Sequence, residues 1–468
     1  MNEIPQEFAK SFRNFMDKMS AAVPEEESEL LAHMRRHFGN DPSRLPVVAH
    51  NFEVRDHCNV QKGLEAWAAG EGRSLEVIGV TEEHRGYHRV DLASIVTAQP
   101  GRGRGIGIGP VEYENVDVGE DRTIACIQSG LLLMRDGEVP VAALVQGPIK
   151  WGPGNHVSVQ VMSATREGAE RWLTSLRTAV RDHSVYRGRI ISLDVDRDTR
   201  SLRVNFHRLP AVAREMIILP AGVLDRIERH SIQFSKHQQR LQEAGRHLKR
   251  GLLLHGPPGT GKTFTAMYLA RRMEGRTVLL VTGLGQGLIE QTCAMARALE
   301  PATVILEDVD LIATSRSHQN LSCTSPLMFE LLNQMDGLAE DLDVLFILTT
   351  NRPEVIEPAL AARPGRIDQA IEVPLPDAQC RSRLLDLYGQ GLTIRLTDRD
   401  AVVRRTEGAS AAFMKELLRR SAVFAADRGE ELVVTDREID EAIHELAFTG
   451  GSLTRSLLGF GSGPVPGE

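Results

Sequence analysis

Gly256-Pro257-Pro258-Gly259-Thr260-Gly261-Lys262-Thr263 follows directly on the apolar run Gly251-Leu252-Leu253-Leu254-His255. An apolar run that enters a glycine-rich turn and then a helical pattern predicts strand, loop and helix in immediate succession. Such a turn aims several backbone N–H groups and the positive end of a helix at one point, which attracts phosphate. Gly259 and Gly261 let the main chain wrap a polyphosphate closely. Lys262 neutralises its outer phosphates, and the Thr263 hydroxyl remains to ligate magnesium. The expected phosphate-binding set is therefore Gly256, Pro257, Pro258, Gly259, Thr260, Gly261, Lys262 and Thr263.

Outward from this loop, short apolar segments recur between helical stretches at 251–255, 277–281, 303–307, 344–349 and 370–373. Alternation of that kind predicts a parallel sheet with helices on both faces. The segment Ala302-Thr303-Val304-Ile305-Leu306 runs into Glu307-Asp308, and Val344-Leu345-Phe346-Ile347-Leu348-Thr349-Thr350 runs into Asn351. Two carboxylates at the end of one strand suit a magnesium shell and the polarisation of a water. The Asn351 amide suits the orientation of that water. By position, Glu307 falls on the magnesium side with Thr263, and Asp308 falls to water activation. The shorter Asp side chain leaves the opposite assignment open.

Together with Leu331-Leu332-Asn333-Gln334-Met335-Asp336-Gly337, Thr349-Thr350-Asn351-Arg352-Pro353, Pro358 to Asp368 and Ile371-Glu372-Val373-Pro374-Leu375-Pro376-Asp377, these segments resemble the AAA family of ATPases over about 219–448. The resemblance implies ATP and Mg2+ as ligands, with Lys262 and Thr263 as Walker A residues and Asn351 as sensor 1. It makes Arg363 and Arg366 the arginine fingers that reach a neighbouring subunit's nucleotide. Gly408 and Ala409, in a helical lid, would lie against the bound nucleotide. The chain departs from the family in its Glu307-Asp308 order, a reversal also familiar from the Rieske-protein translocases. The first pore-facing connection, Thr282-Gly283-Leu284-Gly285-Gln286-Gly287, has no aromatic residue, and the second, 314–325, offers Arg316 and His318. No arginine stands at the sensor 2 position.

Before the loop, helical patterns are expected at 28–38, 57–69 and 167–181, with strands at 75–80, 94–97, 123–127, 141–145, 156–160, 190–195 and 201–206. These predict a mixed α/β portion over 1–208 that binds a client or partner. A nucleotide-binding subdomain, 209–376, includes a net-basic, amphipathic helical run over 223–250 that leads into the phosphate loop. A helical lid, 377–450, and a flexible Gly/Pro/Ser-rich tail, 451–468, complete the expected organisation. Pro100 to Pro110, with alternate glycines and two arginines, reads as a flexible connector, an anion-binding loop being the other reading.

At 42% hydrophobic and 25% charged residues, the chain has the composition of a globular protein, and its net charge of −8 gives no general attraction to nucleic acid. The opening residues have neither a basic nor an apolar export region, so a cytoplasmic location is expected. No apolar run is long enough to span a bilayer. Five cysteines without C-x-x-C spacing predict buried thiols rather than a disulfide framework or zinc site.

His444-Glu445-Leu446-Ala447-Phe448 lacks the second histidine of a zinc protease, and Pro464 to Glu468 lacks the hydrophobic-Tyr-x ending that docks a proteasome. The function expected is an ATP-hydrolysing ring, a homo-hexamer, that remodels, unfolds or translocates protein clients with arginine fingers acting in trans. An ATP-controlled assembly switch or scaffold with slow turnover is the alternative. A DNA-linked motor ranks last.

Overall fold

Every residue of the strand Val344–Thr350 is buried, although side chains along a strand point alternately to opposite faces. A strand covered on both sides belongs inside a sheet with helices on each face, which is the setting the unbroken apolar run predicts. A computed structural model of the chain describes residues 8, 10–15, 28–82, 89–97, 106–149, 155–196, 198–199, 201–246, 248, 250–281, 288–314, 326–337, 342–356, 367–429 and 431–446. Two compact units emerge, one of 1–185 with 194–205 and the other of 186–193 with 206–468.

The first unit is built on β1 (Val47–Phe52), β2 (Arg73–Glu82), β3 (Ile106–Gly109), β4 (Glu112–Asp117), β5 (Thr123–Asp136), β6 (Val139–Gln146) and β7 (Val157–Ser163). The strand order is β1-β7-β6-β5-β2-β3, with β4 added beside β5. All these pairings are antiparallel. Alternation along β5 divides the interior. Leu132 and Met134 join Trp67 of α2 (His57–Ala68) and Trp172 of α4 (Arg166–Asp182), while Leu131 and Leu133 join Leu30 and Met34 of α1 (Glu29–Phe38) and Ile95 of α3 (Leu92–Thr97). The two indoles meet edge to face at 5.7 Å.

Helix α4 is the most legible element here. Thr165 caps it by accepting from the Gly168 N–H, and Ala169, Trp172, Leu173, Leu176 and Val180 form its buried stripe. The expected strand at 94–97 is instead α3. The Asp91 carboxylate accepts from the Ser94 N–H at 2.6 Å, and Leu92, Ile95 and Val96 fall on one buried face, so a local cap and i, i+3, i+4 packing override β-branched propensity. The connector expected over 100–110 is also revised: Ile106–Gly109 is β3, paired with β2, and residues 100–105 lie outside the described ones.

The second sheet contains β8 (Ile190–Val195), β9 (Leu202–Phe206), β10 (Arg250–His255), β11 (Thr277–Val281), β12 (Ala302–Leu306), β13 (Val344–Thr350) and β14 (Gln369–Glu372), in the order β14-β10-β13-β12-β11-β8-β9. Neighbours from β14 through to β8 run parallel. The expected boundary near 208 is therefore too late, because β8 pairs with β11 through Ile190 to Ser192 rather than closing the preceding portion. Two short strands with a polar turn carry no sequence signal of which sheet they extend.

The basic run expected as one helix over 223–250 is broken. After α5 (Val223–Glu228) it passes through a π-turn at Arg229–Gln233 and short helical pieces at Phe234–Lys236 and Gln238–Glu243, then stops at Gly245, whose φ is +67°; Arg250 already belongs to β10. The helix α6 (Lys262–Arg272) follows the glycine loop and packs Ala266, Tyr268 and Leu269 against Leu252, Leu254, Ile305 and Ile347. It is followed by α7 (Leu288–Ala298), α8 (Val309–Thr314) and α9 (Pro326–Asp336).

The lid contains α10 (Ala378–Tyr388), α11 (Arg399–Arg405), α12 (Ala411–Ala426) and α13 (Asp436–His444) around Leu384, Phe413, Met414, Leu417 and Ile439. A small parallel pair, β15 (Thr393–Arg395) with β16 (Val433–Thr435), interrupts the all-helical expectation. Cys58, Cys126, Cys293 and Cys380 are buried free thiols. Cys58 and Cys126 nonetheless lie with their sulfurs 3.6 Å apart, a proximity that their spacing in sequence did not suggest. No helix among the described residues is long and apolar enough to cross a membrane.

Candidate nucleotide site

Parallel strands end on one side of a sheet, so the loops after β10, β12 and β13 gather residues that are far apart in the chain. The loop after β10 is the glycine-rich segment. Gly259 has φ +75° and Gly261 has φ +96°, left-handed values that glycine adopts without strain. The turn ends as α6 begins at Lys262, and the Thr265 N–H closes onto the Gly261 carbonyl at 2.8 Å. The α6 N-terminus thus faces the hollow of the loop.

Lys262 is buried, and its Nζ donates to the carbonyls of Gly256 and Pro257, each at 2.8 Å. Burial pulls its pKa down to about 8, a fall that Asp308 and Asp310 partly offset. A cation turned onto loop carbonyls is poised to exchange them for a stronger anionic partner. Thr260 braces the loop by donating to the Pro257 carbonyl at 3.0 Å.

From β12 the chain passes to Glu307 and Asp308, both partly exposed. Burial and the neighbouring Asp308 raise the Glu307 pKa. Asp308 takes φ +47°, a left-handed conformation that Asp tolerates better than most residues. Two bonds hold it there: its N–H donates to Thr349 Oγ1 at 3.1 Å, and Asn351 Nδ2 donates to its Oδ1 at 3.0 Å. The structure thus brings Lys262, Asp308 and Asn351 into one electrostatic and hydrogen-bonded group.

The lid reaches the loop directly. The Ala412 N–H donates to the Gly259 carbonyl at 3.0 Å, and a Cβ on Gly259 would stand 2.7 Å from Ser410 Oγ and 2.9 Å from Ala412 Cβ. Ser410 also caps α12, accepting from the Phe413 N–H. Ala409 is fully buried in the lid core, and Gly408 turns the chain with φ +77°. Sequence reading missed Ser410, Ala412, Thr349, Thr350 and Asp310. An Asp two residues beyond the paired acids was the available signal for the last. Arg363, Arg366, the connection 282–287 and the tail 451–468 lie outside the described residues.

A glycine loop that runs into a helix N-terminus, with the Lys262 ammonium in it and the Asp308 and Asp310 carboxylates within electrostatic reach, suits a polyphosphate with magnesium. Among the described residues, no cluster of three or more His, Cys, Asp or Glu side chains forms a metal cage. Magnesium carried on phosphates needs only one or two protein oxygens beside its waters, which Thr263 and Glu307 are placed in sequence to supply.

Fold and loop define a P-loop nucleotide-binding protein. Residues 252–375 match the model of the ATPase family associated with various cellular activities (AAA). The chain is 32% identical over 235 residues to the 26S proteasome regulatory subunit 8 homolog of Schizosaccharomyces pombe, an alignment covering 47% of this chain and 58% of that one. It is 31% identical over 234 residues to the proteasome-activating nucleotidase of Thermococcus onnurineus, with the same two coverages, 47% and 58%. A subunit 8 homolog from Encephalitozoon cuniculi is 29% identical over 297 residues, 60% of this chain and 74% of the relative. The chain thus spans less than two thirds of the length of the first two relatives.

Proposed function

We propose that this protein is a magnesium-dependent ATPase that assembles into a homo-hexameric ring and remodels, unfolds or translocates protein clients held by the portion that precedes residue 186. The observation that carries the reading is the meeting of Lys262, Asp308 and Asn351 at the carboxyl edge of a parallel sheet, beside a loop with the phosphate-binding sequence. Similarity to a 26S proteasome regulatory subunit 8 homolog and to a proteasome-activating nucleotidase supports it.

In this reading the loop 256–263 and the α6 N-terminus bind the phosphates, and Lys262 leaves the Gly256 and Pro257 carbonyls for the outer ones. Thr263 and Glu307 would hold magnesium, which would supply Lewis-acid polarisation of the phosphoryl oxygens. Asp308 takes a proton from the attacking water, which the Asn351 amide orients. Arg363 and Arg366 of a neighbouring copy stabilise charge on the transferred group. A nucleotide-binding portion that takes in β8, a lid over 377–450 with Gly408 turned to the nucleotide, a tail over 451–468 and a cytoplasmic setting belong to the same proposal.

Steady-state ATP hydrolysis against protein concentration tests it. Specific activity is expected to rise as subunits assemble, and assembled Arg366→Ala is expected to lose about 10³-fold. Turnover by monomers that ignores concentration, or a fully assembled Arg366→Ala at the wild-type rate, overturns the reading. Activity retained by Asp308→Asn and lost by Glu307→Gln reverses the roles of the two acids. The absence of an aromatic from 282–287 favours a second reading, an ATP-controlled assembly switch. Slow turnover that leaves a client's structure intact in an unfolding assay selects it.

A further inference from the structure

Beyond the paired acids, the chain places a third carboxylate, Asp310, in the first turn of α8, where it is 6% exposed. A buried carboxylate persists only where hydrogen bonds or charge compensate its lost hydration. Asp310 Oδ1 accepts from Thr350 Oγ1 at 2.9 Å and from the Asn351 main-chain N–H at 3.3 Å. The same Thr350 hydroxyl oxygen accepts from the Arg352 N–H at 3.0 Å. A single carboxylate oxygen therefore holds the Thr350 hydroxyl and the Asn351 main chain, and that hydroxyl in turn holds the Arg352 N–H.

We infer that Asp310 and Thr350 are positioning residues for hydrolysis: they clamp the Asn351 main chain, so that its side chain is held at the reacting end of the site and not at the nucleotide-binding loop. The juxtaposition behind this is geometric. Asn351 touches Asp310 through its backbone and Asp308 through its side chain, at 3.3 and 3.0 Å. Asp308, in its left-handed conformation, is tied to the same strand end through Thr349. Two threonine–aspartate ties thus run side by side from the β12–α8 turn to the end of β13. Loosening the Asp310 tie frees the Asn351 backbone while leaving the Gly256 to Thr263 loop and its bonds intact.

A displacement of about 1 Å in a group that orients a reactant costs up to about 10²-fold in rate, whereas phosphate affinity resides in a different loop. Asp310→Ala and Thr350→Val, in the full chain, are therefore expected to lower kcat by about 10- to 100-fold, and Thr350→Val, which keeps the Asp310 charge near Lys262, to leave nucleotide affinity within about threefold of wild type. Thr350→Ser, which keeps the hydroxyl, is expected to recover turnover to within about threefold. In nucleotide-free protein, amide exchange over 344–356 is expected to quicken by about tenfold or more in Asp310→Ala and Thr350→Val and to stay slow in Thr350→Ser.

The inference rests on the ATPase reading, and the outcomes separate the two. If wild type does not hydrolyse ATP, or the double variant Glu307→Gln, Asp308→Asn hydrolyses it freely, the ATPase reading itself fails. If those acids are essential but Asp310→Ala and Thr350→Val keep wild-type kcat and exchange, the clamp is overturned. A rise in KM at unchanged kcat also overturns it, since that result puts Asp310 in binding rather than positioning.

Discussion

The two units use the same materials, a seven-stranded sheet and helices on both faces, to opposite ends. In the antiparallel sheet of the first unit, neighbouring strands finish at opposite edges, so polar residues at strand ends are dispersed. In the parallel sheet of the second, β10, β12 and β13 finish together, and residues 256–263, 307–310 and 349–351 meet there although about forty positions separate successive groups. Topology, more than composition, decides which unit can concentrate chemistry on one rim.

The sharpest way to break this contrast is to remove the cation from that rim. Lys262→Ala is expected to weaken nucleotide binding by about 100-fold or more, read by fluorescent-nucleotide titration, because neutralisation of the outer phosphates is lost. All three tryptophans, Trp67, Trp151 and Trp172, precede residue 208, so their fluorescence reports on the first unit alone and is expected to be unchanged. Next in size, Phe346→Ala empties a fully buried position in β13 and should cost the second unit about 3–5 kcal/mol. Leu132→Ala, equally buried in β5, should cost the first unit about 2–5 kcal/mol. Denaturant unfolding should show tryptophan emission following Leu132→Ala and loss of nucleotide binding following Phe346→Ala.

Acidity separates the units more gently. With its pKa pulled from the ordinary 10.5 to about 8, Lys262 in the free site sheds its proton as pH rises through about 8. Nucleotide affinity should then fall several-fold between about pH 7 and pH 9, and Lys262→Arg, charged throughout, should show a flatter profile wherever it binds. Smallest of these effects, Thr165→Ala deletes the cap of α4 and should lower the tryptophan-reported stability by about 1 kcal/mol.

Legibility in the sequence followed the same divide. The glycine loop, the two acids and Asn351 announce themselves because phosphate chemistry demands particular residue types after particular strands. Helices such as 166–182 announce themselves through a 3.6-residue stripe and a threonine cap. What escaped was decided by contacts between distant segments. Nothing local in Ile190 to Val195 tells which sheet it extends, and Ser94 to Thr97 reads as a strand until the Asp91 carboxylate caps it as a helix. Asp310 looked like any helical acid, and Ser410 and Ala412 like ordinary small residues, because their roles depend on Thr350 and Gly259, which arrive from elsewhere in the chain.

The bond from the Ala412 amide to the Gly259 carbonyl gives the lid a grip on the glycine loop that no side chain mediates. A linkage made of main chain survives any replacement at position 412 except proline, so drift in side-chain identity leaves it in place. A shift of the Gly259 carbonyl would have to break that bond or carry the first turn of α12 along, so loop and lid are stitched together backbone to backbone.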